Sequence, residues 1–152
     1  MGNGNDTCKV CGSPVPQSAV FCPMCGARLE HEGREGVNPA IVEMVEQFSK
    51  RVNEHPEDAA AHYNLALALI MLRRWGAAAQ VLEKVIQLEP SFLEAHFHLA
   101  RSYIALGNLD AAHAVVSQMM RQSPDDRRTK RALRLLQRAH AKQAEKMSGN
   151  ER

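Results

Sequence analysis

The chain has 152 residues, 45 % of them apolar and 24 % charged, with a formal net charge of +2. That balance is ordinary for a globular chain, the net charge is too small to name a partner, and no apolar run reaches the roughly 18 residues that a membrane span needs. The first residues, Met1 to Asp6, carry neither the basic nor the apolar region of a secretion signal. The cytosol is therefore the expected compartment, where four cysteines are metal ligands more often than disulfides.

All four cysteines fall within the first 25 residues, as C-x2-C-x10-C-x2-C at Cys8, Cys11, Cys22 and Cys25. A two-residue gap lets two sulfurs reach one ion from a single tight turn, at roughly 2.3 Å each. Gly12 and Gly26 follow the two pairs, and a glycine there can take the positive φ that turns amides back toward the thiolates. Four sulfurs close a tetrahedral site and leave no place for water or substrate, so one structural zinc ion is expected. Two disulfides, or an iron centre on the same ligands, are the alternatives. The segment is too small to fold on a hydrophobic core alone. Val10, Val15, Val20, Phe21 and Leu29 are nearly all it can bury. The run from Cys8 to Leu29 resembles the short zinc-ribbon domains found at the N-termini of many bacterial and archaeal proteins. The resemblance implies zinc and an accessory role, but no particular partner.

The expected divisions are a ribbon over 1–28, a Glu/Gly/Arg-rich linker over 29–37, a helical array over 38–146 and a flexible tail over 147–152. Asn38-Pro39 opens the array with an N-cap residue and a first-turn proline. Pro56, Pro90 and Pro124 then stand 34 residues apart, a period that marks repeats. Laying 59–92 on 93–126 pairs His62 with His96, Leu65 with Leu99, Ala66 with Ala100 and Ala78 with Ala112. Apolar residues recur every three or four positions in both halves of each unit, which is amphipathic-helix spacing. Each unit thus reads as helix–turn–helix, with turns at Arg73-Arg74-Trp75-Gly76 and at Gly107-Asn108. The alanines fit where paired helices approach closely. Ser91 to Glu94 reads as a capping box. Six helices are predicted, over 39–54, 59–72, 76–88, 93–105, 109–122 and 126–146.

These units resemble the tetratricopeptide repeat (TPR) on Leu65-Ala66, Leu69, Ala78, Leu82 and Pro90, then Leu99-Ala100, Tyr103, Gly107, Ala112 and Pro124. The usual tryptophan is His62 or His96, and the usual loop glycine is Arg73 in the first unit. The implied architecture is an all-α, TPR-type helix–turn–helix solenoid with a small four-cysteine zinc ribbon. The array divides into a half repeat over 39–58, repeats over 59–92 and 93–126, and a capping helix over 126–146.

The resemblance places the first helix of each pair on a concave face. It implies peptide contacts from Tyr63, Asn64, Leu67, Ile70 and Met71, then Phe97, His98, Arg101 and Ile104. TPR domains that clamp a C-terminal carboxylate use Lys and Asn where Tyr63 and Leu67 stand here. Only Asn64 and Arg101 are partly suited, so a chaperone-tail receptor is not expected. On the last helix, Arg127, Arg131, Arg134, Arg138 and Lys142 form one stripe within about 80° and roughly 22 Å long, opposite Ala132, Leu133, Leu136, Ala139 and His140. The stripe is either a solvated cap or a contact for an anionic partner. His96 and His98 lie two apart on a helix and point apart, so they are not expected to share a metal. No nucleophile–base pair, phosphate loop, His-Glu-x-x-His run or paired carboxylates stand out, so no enzyme is expected. The expected function is a protein-interaction adaptor or assembly scaffold with a protein or peptide partner. A nucleic-acid or ribosome-associated factor is the alternative.

Overall fold

The computed structural model describes residues 6–8, 10–15, 22, 24–26 and 38–149. The predicted linker over 29–37, the last tail residues 150–152, and Val20, Phe21 and Leu29 as ribbon core lie outside the described residues. Two short strands, β1 (Asp6–Thr7) and β2 (Pro14–Val15), pair antiparallel, with Asp6 opposite Val15. Val15 is buried beside Cys8 and Cys22, whereas Val10, a core candidate from sequence, is exposed.

Six helices follow among the described residues: α1 (Pro39–Glu54), α2 (Ala59–Met71), α3 (Trp75–Leu88), α4 (Leu93–Ala105), α5 (Leu109–Gln122) and α6 (Arg127–Gly149). Side chains satisfy the free amides at several starts. Asn38 accepts from the Ala40 amide at 2.9 Å, Asp58 from Ala61 at 2.9 Å, Asn108 from Ala111 at 3.2 Å and Asp126 from Arg128 at 2.8 Å. The capping box predicted at Ser91 does not form. α4 opens at Phe92, without a side-chain cap, and the Phe92 ring packs against Tyr63. α6 also runs through Met147, Ser148 and Gly149, which the sequence places in the flexible tail.

Consecutive helices pack on one another, and α6 also packs on α4. The cores between them form an unbroken series. Val45, Leu65, Leu69 and Ala78 join α1, α2 and α3. Ala66, Leu82, Val85, Ala95 and Leu99 join α2, α3 and α4. Phe97, Ala112, Val116, Met119 and Leu136 join α4, α5 and α6. Ala66, Ala78, Ala100 and Ala112 have no exposed surface, so a larger side chain at any of them costs roughly 1–3 kcal/mol in overpacking.

His62 and His96 occupy equivalent buried places. Their Nδ1 atoms lie 2.8 Å and 2.9 Å from the carbonyl oxygens of Asp58 and Phe92, four residues earlier. Each ring therefore donates from Nδ1 to the first carbonyl of its own helix. This lets an imidazole fill a site where an indole is usual. The Tyr103 hydroxyl donates to Glu83, and Arg128 bridges Asp126 and Glu94 at 3.0 Å and 2.9 Å. These polar ties join adjacent units at the surface.

The two inter-helix turns share a geometry. The Arg74 amide donates to the Leu69 carbonyl at 2.8 Å, and the Asn108 amide to the Tyr103 carbonyl at 2.9 Å. This five-residue reach requires a left-handed residue just after the helix. Gly107 supplies it at φ 76°, but in the first unit Arg73 does so at φ 56°. Arg73→Gly should therefore raise stability by about 0.5–1 kcal/mol, because lost left-handed strain outweighs the added freedom of the unfolded chain. Gly107→Arg should lower it by about 1 kcal/mol. Urea titration of both variants checks the pair, and a lower midpoint for Arg73→Gly contradicts the strain argument.

Candidate functional site

The cysteine cluster is built from two matching turns. The Gly12 amide donates to the Cys8 carbonyl at 2.8 Å, and the Gly26 amide to the Cys22 carbonyl at 2.9 Å. Both glycines have positive φ, 71° and 73°. That conformation closes each turn and aims further amides at sulfur: Val10 donates to Cys8 Sγ and Met24 to Cys22 Sγ, each at 3.4 Å. The turns face each other, and all four sulfurs lie within 4.8 Å of one another.

The closest sulfur approaches, Cys8 to Cys25 and Cys11 to Cys22, are both 3.5 Å. A disulfide needs about 2.05 Å, so no disulfide joins the four cysteines. Sulfurs around one zinc ion at about 2.3 Å would stand roughly 3.8 Å apart, so the cluster fits a tetrahedral ion. The protein also favours thiolates there. Ser13, through its side chain and its backbone, brings the Cys11 thiol down to about 6. The amides of Cys11 and Val10 lower that of Cys8. The second turn lies against the array, since a Cβ on Gly26 would meet the Ala77 Cβ of α3 at 3.3 Å.

The second candidate site is the face shared by α2, α4 and α6. Tyr63 of α2 packs tilted against Phe92, ahead of α4, at 4.8 Å and approaches the His98 ring at 6.0 Å. Phe97 lies beside His98 at 5.4 Å and is only 6 % exposed. Two guanidiniums lie over Phe97: Arg101 of α4 at 5.9 Å and Arg131 of α6 at 5.4 Å. Such cation–π contacts hold the charges in place. Phe97, predicted as a peptide contact, is therefore the floor beneath Arg101 and Arg131. Burial, and then Arg101, holds the His98 imidazole below its usual range, so the ring is neutral near pH 7. Its Nδ1 is buried without a hydrogen-bond partner among the described residues.

Asn64 and Met71 are exposed, while Tyr63, Leu67, Ile70, Arg101 and Ile104 are half-buried. The basic stripe of Arg127, Arg131, Arg134, Arg138 and Lys142 is exposed throughout, and none of the five has a carboxylate partner among the described residues. The opposite face differs from expectation in two places. His140 is exposed, because α6 has by then run past α4 and α5, and Thr129 joins Ala132 and Leu136 in the buried set. Arg128, outside the stripe, is the arginine that ties α6 to α4. Sequence reading passed over Phe92 and Leu135 on this side of the molecule. The repeat period was the available signal, since Leu135 stands 34 residues after Arg101 and Arg131 stands 34 after Phe97.

Comparison with known proteins bears on both sites. Residues 7–29 match the zinc-ribbon domain family. Residues 42–91 and 69–136 match tetratricopeptide-repeat families. A search of curated proteins returned no match. Among solved structures, the first TPR of Spaghetti (RPAP3), bound to the HSP90 peptide SRMEEVD, is 19 % identical with a TM-score of 0.61, over 68 % of this chain and 82 % of that one. The TPR2B domain of yeast Sti1, in complex with pHsp70, is 20 % identical with a TM-score of 0.61, over 68 % and 86 %. The first TPR domain of human RPAP3, solved by NMR, is 19 % identical with a TM-score of 0.62, over 70 % and 84 %. At this identity the likeness speaks for the fold. No helix among the described residues is long and apolar enough to cross a membrane. The chain is a zinc-ribbon domain at residues 7–29 followed by tetratricopeptide repeats across residues 42–136.

Proposed function

We propose that the chain is a non-enzymatic interaction adaptor. A protein or peptide segment binds along the face of α2, α4 and α6, and one structural zinc ion on Cys8, Cys11, Cys22 and Cys25 holds the ribbon. The observation that carries this reading is the gathering of His98, Arg101 and Arg131 around the buried Phe97 ring, with Tyr63 against His98. Side chains from three separate helices converge there, with apolar surface beside fixed charge. Such a mixed surface recognises a peptide by both shape and polarity. Asn64, Leu67, Ile70, Met71 and Ile104 extend it.

One of the similar structures holds an HSP90 peptide and another is a complex with pHsp70. Tyr63 and Leu67 replace the clamp residues expected for such tails, so the partner here is of another kind. The stripe of Arg127, Arg131, Arg134, Arg138 and Lys142, free of carboxylate partners among the described residues, supports nucleic acid as the second reading. Phosphate binding would fall steeply with salt.

Three results are expected. The purified chain should hold one zinc per chain by elemental analysis, and Cys11→Ser should reduce that content severalfold. Chelation should abolish amide protection across β1 and β2 and leave the helical circular-dichroism signal intact, because zinc supplies on the order of 10–16 kcal/mol of folding energy to such sites. A coloured, iron-loaded chain would contradict the zinc assignment. In a low-salt pull-down split into nuclease-treated and untreated halves, the same few proteins should be retained in both. Tyr63→Glu with Ile104→Glu should weaken that retention at least tenfold at unchanged helicity. A nucleic-acid-dependent set that vanishes with nuclease would overturn the adaptor reading.

A further inference from the structure

The longest helix outruns the rest of the array. From Ala141 to Gly149 every residue of α6 is exposed, yet the helix continues for more than two turns past its last packed residues. Beneath this overhang, beside the turn between α4 and α5, lies a cavity of about 620 Å³. Its floor is Ile104, Leu109, Leu135 and Ala139. Its rim is cationic: Arg138, Lys142 and Lys146 stand four residues apart along α6 and all face it. Asp110 and Glu145, the acids closest in sequence, do not line it. None of the three cations has a carboxylate partner among the described residues. The helix dipole accounts for a cation in the last turn, as at Lys146, but not for Arg138 and Lys142. Like charges at this spacing weaken the helix slightly, so the rim carries a small standing cost that an anionic occupant would relieve.

We infer that this cavity is the docking site of an acidic amphipathic segment of a partner protein. Its aliphatic side chains enter between α6 and the α4–α5 turn, and its carboxylates meet Arg138, Lys142 and Lys146. The inference rests on the adaptor reading above and names the chemistry of the segment and where it is held. Three features select this occupant. The rim presents a charge roughly every 6 Å along the helix, a spacing that carboxylates four apart on a facing helix reproduce. The floor is aliphatic and lacks the aromatic platform on which single-stranded bases stack. The exposed end of α6 carries no large apolar side chain besides Met147, so it lacks the apolar face with which a helix enters a lipid surface.

The test is selection of a random 16-residue peptide display library on the full zinc-loaded chain. The enriched peptides are then made synthetically and titrated by fluorescence anisotropy. They should carry at least two acids interleaved with Leu, Ile or Val. Affinity should fall at least thirtyfold for Arg138→Glu with Lys142→Glu and at least tenfold for Leu135→Asn, while Lys50→Glu, at an exposed position of α1 outside both surfaces, changes it less than threefold. Arg138 and Lys142 are exposed, so the double variant should keep the wild-type melting curve. Enriched peptides that are neutral or basic, or that respond to Tyr63→Glu and not to the charge reversal, would overturn the inference and leave the adaptor reading standing. Absence of any saturable peptide would count against both. A thymidine oligonucleotide or a phosphatidylserine vesicle that binds as tightly as the best peptide, and is lost in the double variant, would also overturn it.

Discussion

Close contact between paired helices at alanine is the constraint on which the array depends. Ala66, Ala78, Ala100 and Ala112 are completely buried, and they recur at the repeat period. A side chain of one carbon lets two helices approach until their larger neighbours interdigitate. The same contact at each step then fixes how one unit lies on the next. Every feature on the α2, α4 and α6 face follows from that stacking. Arg131 lies over Phe97 because α6 packs directly on α4.

The ribbon follows a different physical logic. Its described residues bury little besides Cys8, Val15 and Cys22, too little to offset chain entropy. Its order comes from two turns that aim four sulfurs at one point, with amides and Ser13 favouring the thiolate form. The array stands on apolar burial and the ribbon on ligand chemistry. The two meet where Gly26 lies against Ala77, so the absence of a side chain at Gly26 serves the inter-module contact as well as the turn.

Much of this was legible in the residues. Proline spacing and apolar periodicity placed all six helices within a residue or two, except at the end of α6. The cysteine spacing identified the cluster, because short-range geometry alone determines which sulfurs can converge. What sequence did not show depends on contacts across helices. Phe97 looked like a ligand contact because its face was known but its depth was not, and two guanidiniums from different helices cover it. Ser91 looked like a cap, yet Phe92 holds the N-cap position of α4 and its ring packs on Tyr63. His140 shares the face of Ala132 and Leu136 by periodicity, yet it is exposed near the end of the packed part of α6. The cavity under the overhang has no local signature, since its floor comes from the end of α4, the start of α5 and the middle of α6.

The central claim is that binding occurs on the first helices of the stacked units. Amide hydrogen exchange of the zinc-loaded chain, with and without a saturating partner recovered by pull-down, tests it most directly. The account predicts slowed exchange concentrated in α2, α4 and α6, with α3 and the part of α5 beyond its first turn unchanged. Protection confined to the ribbon, or to α3 and α5, would contradict it.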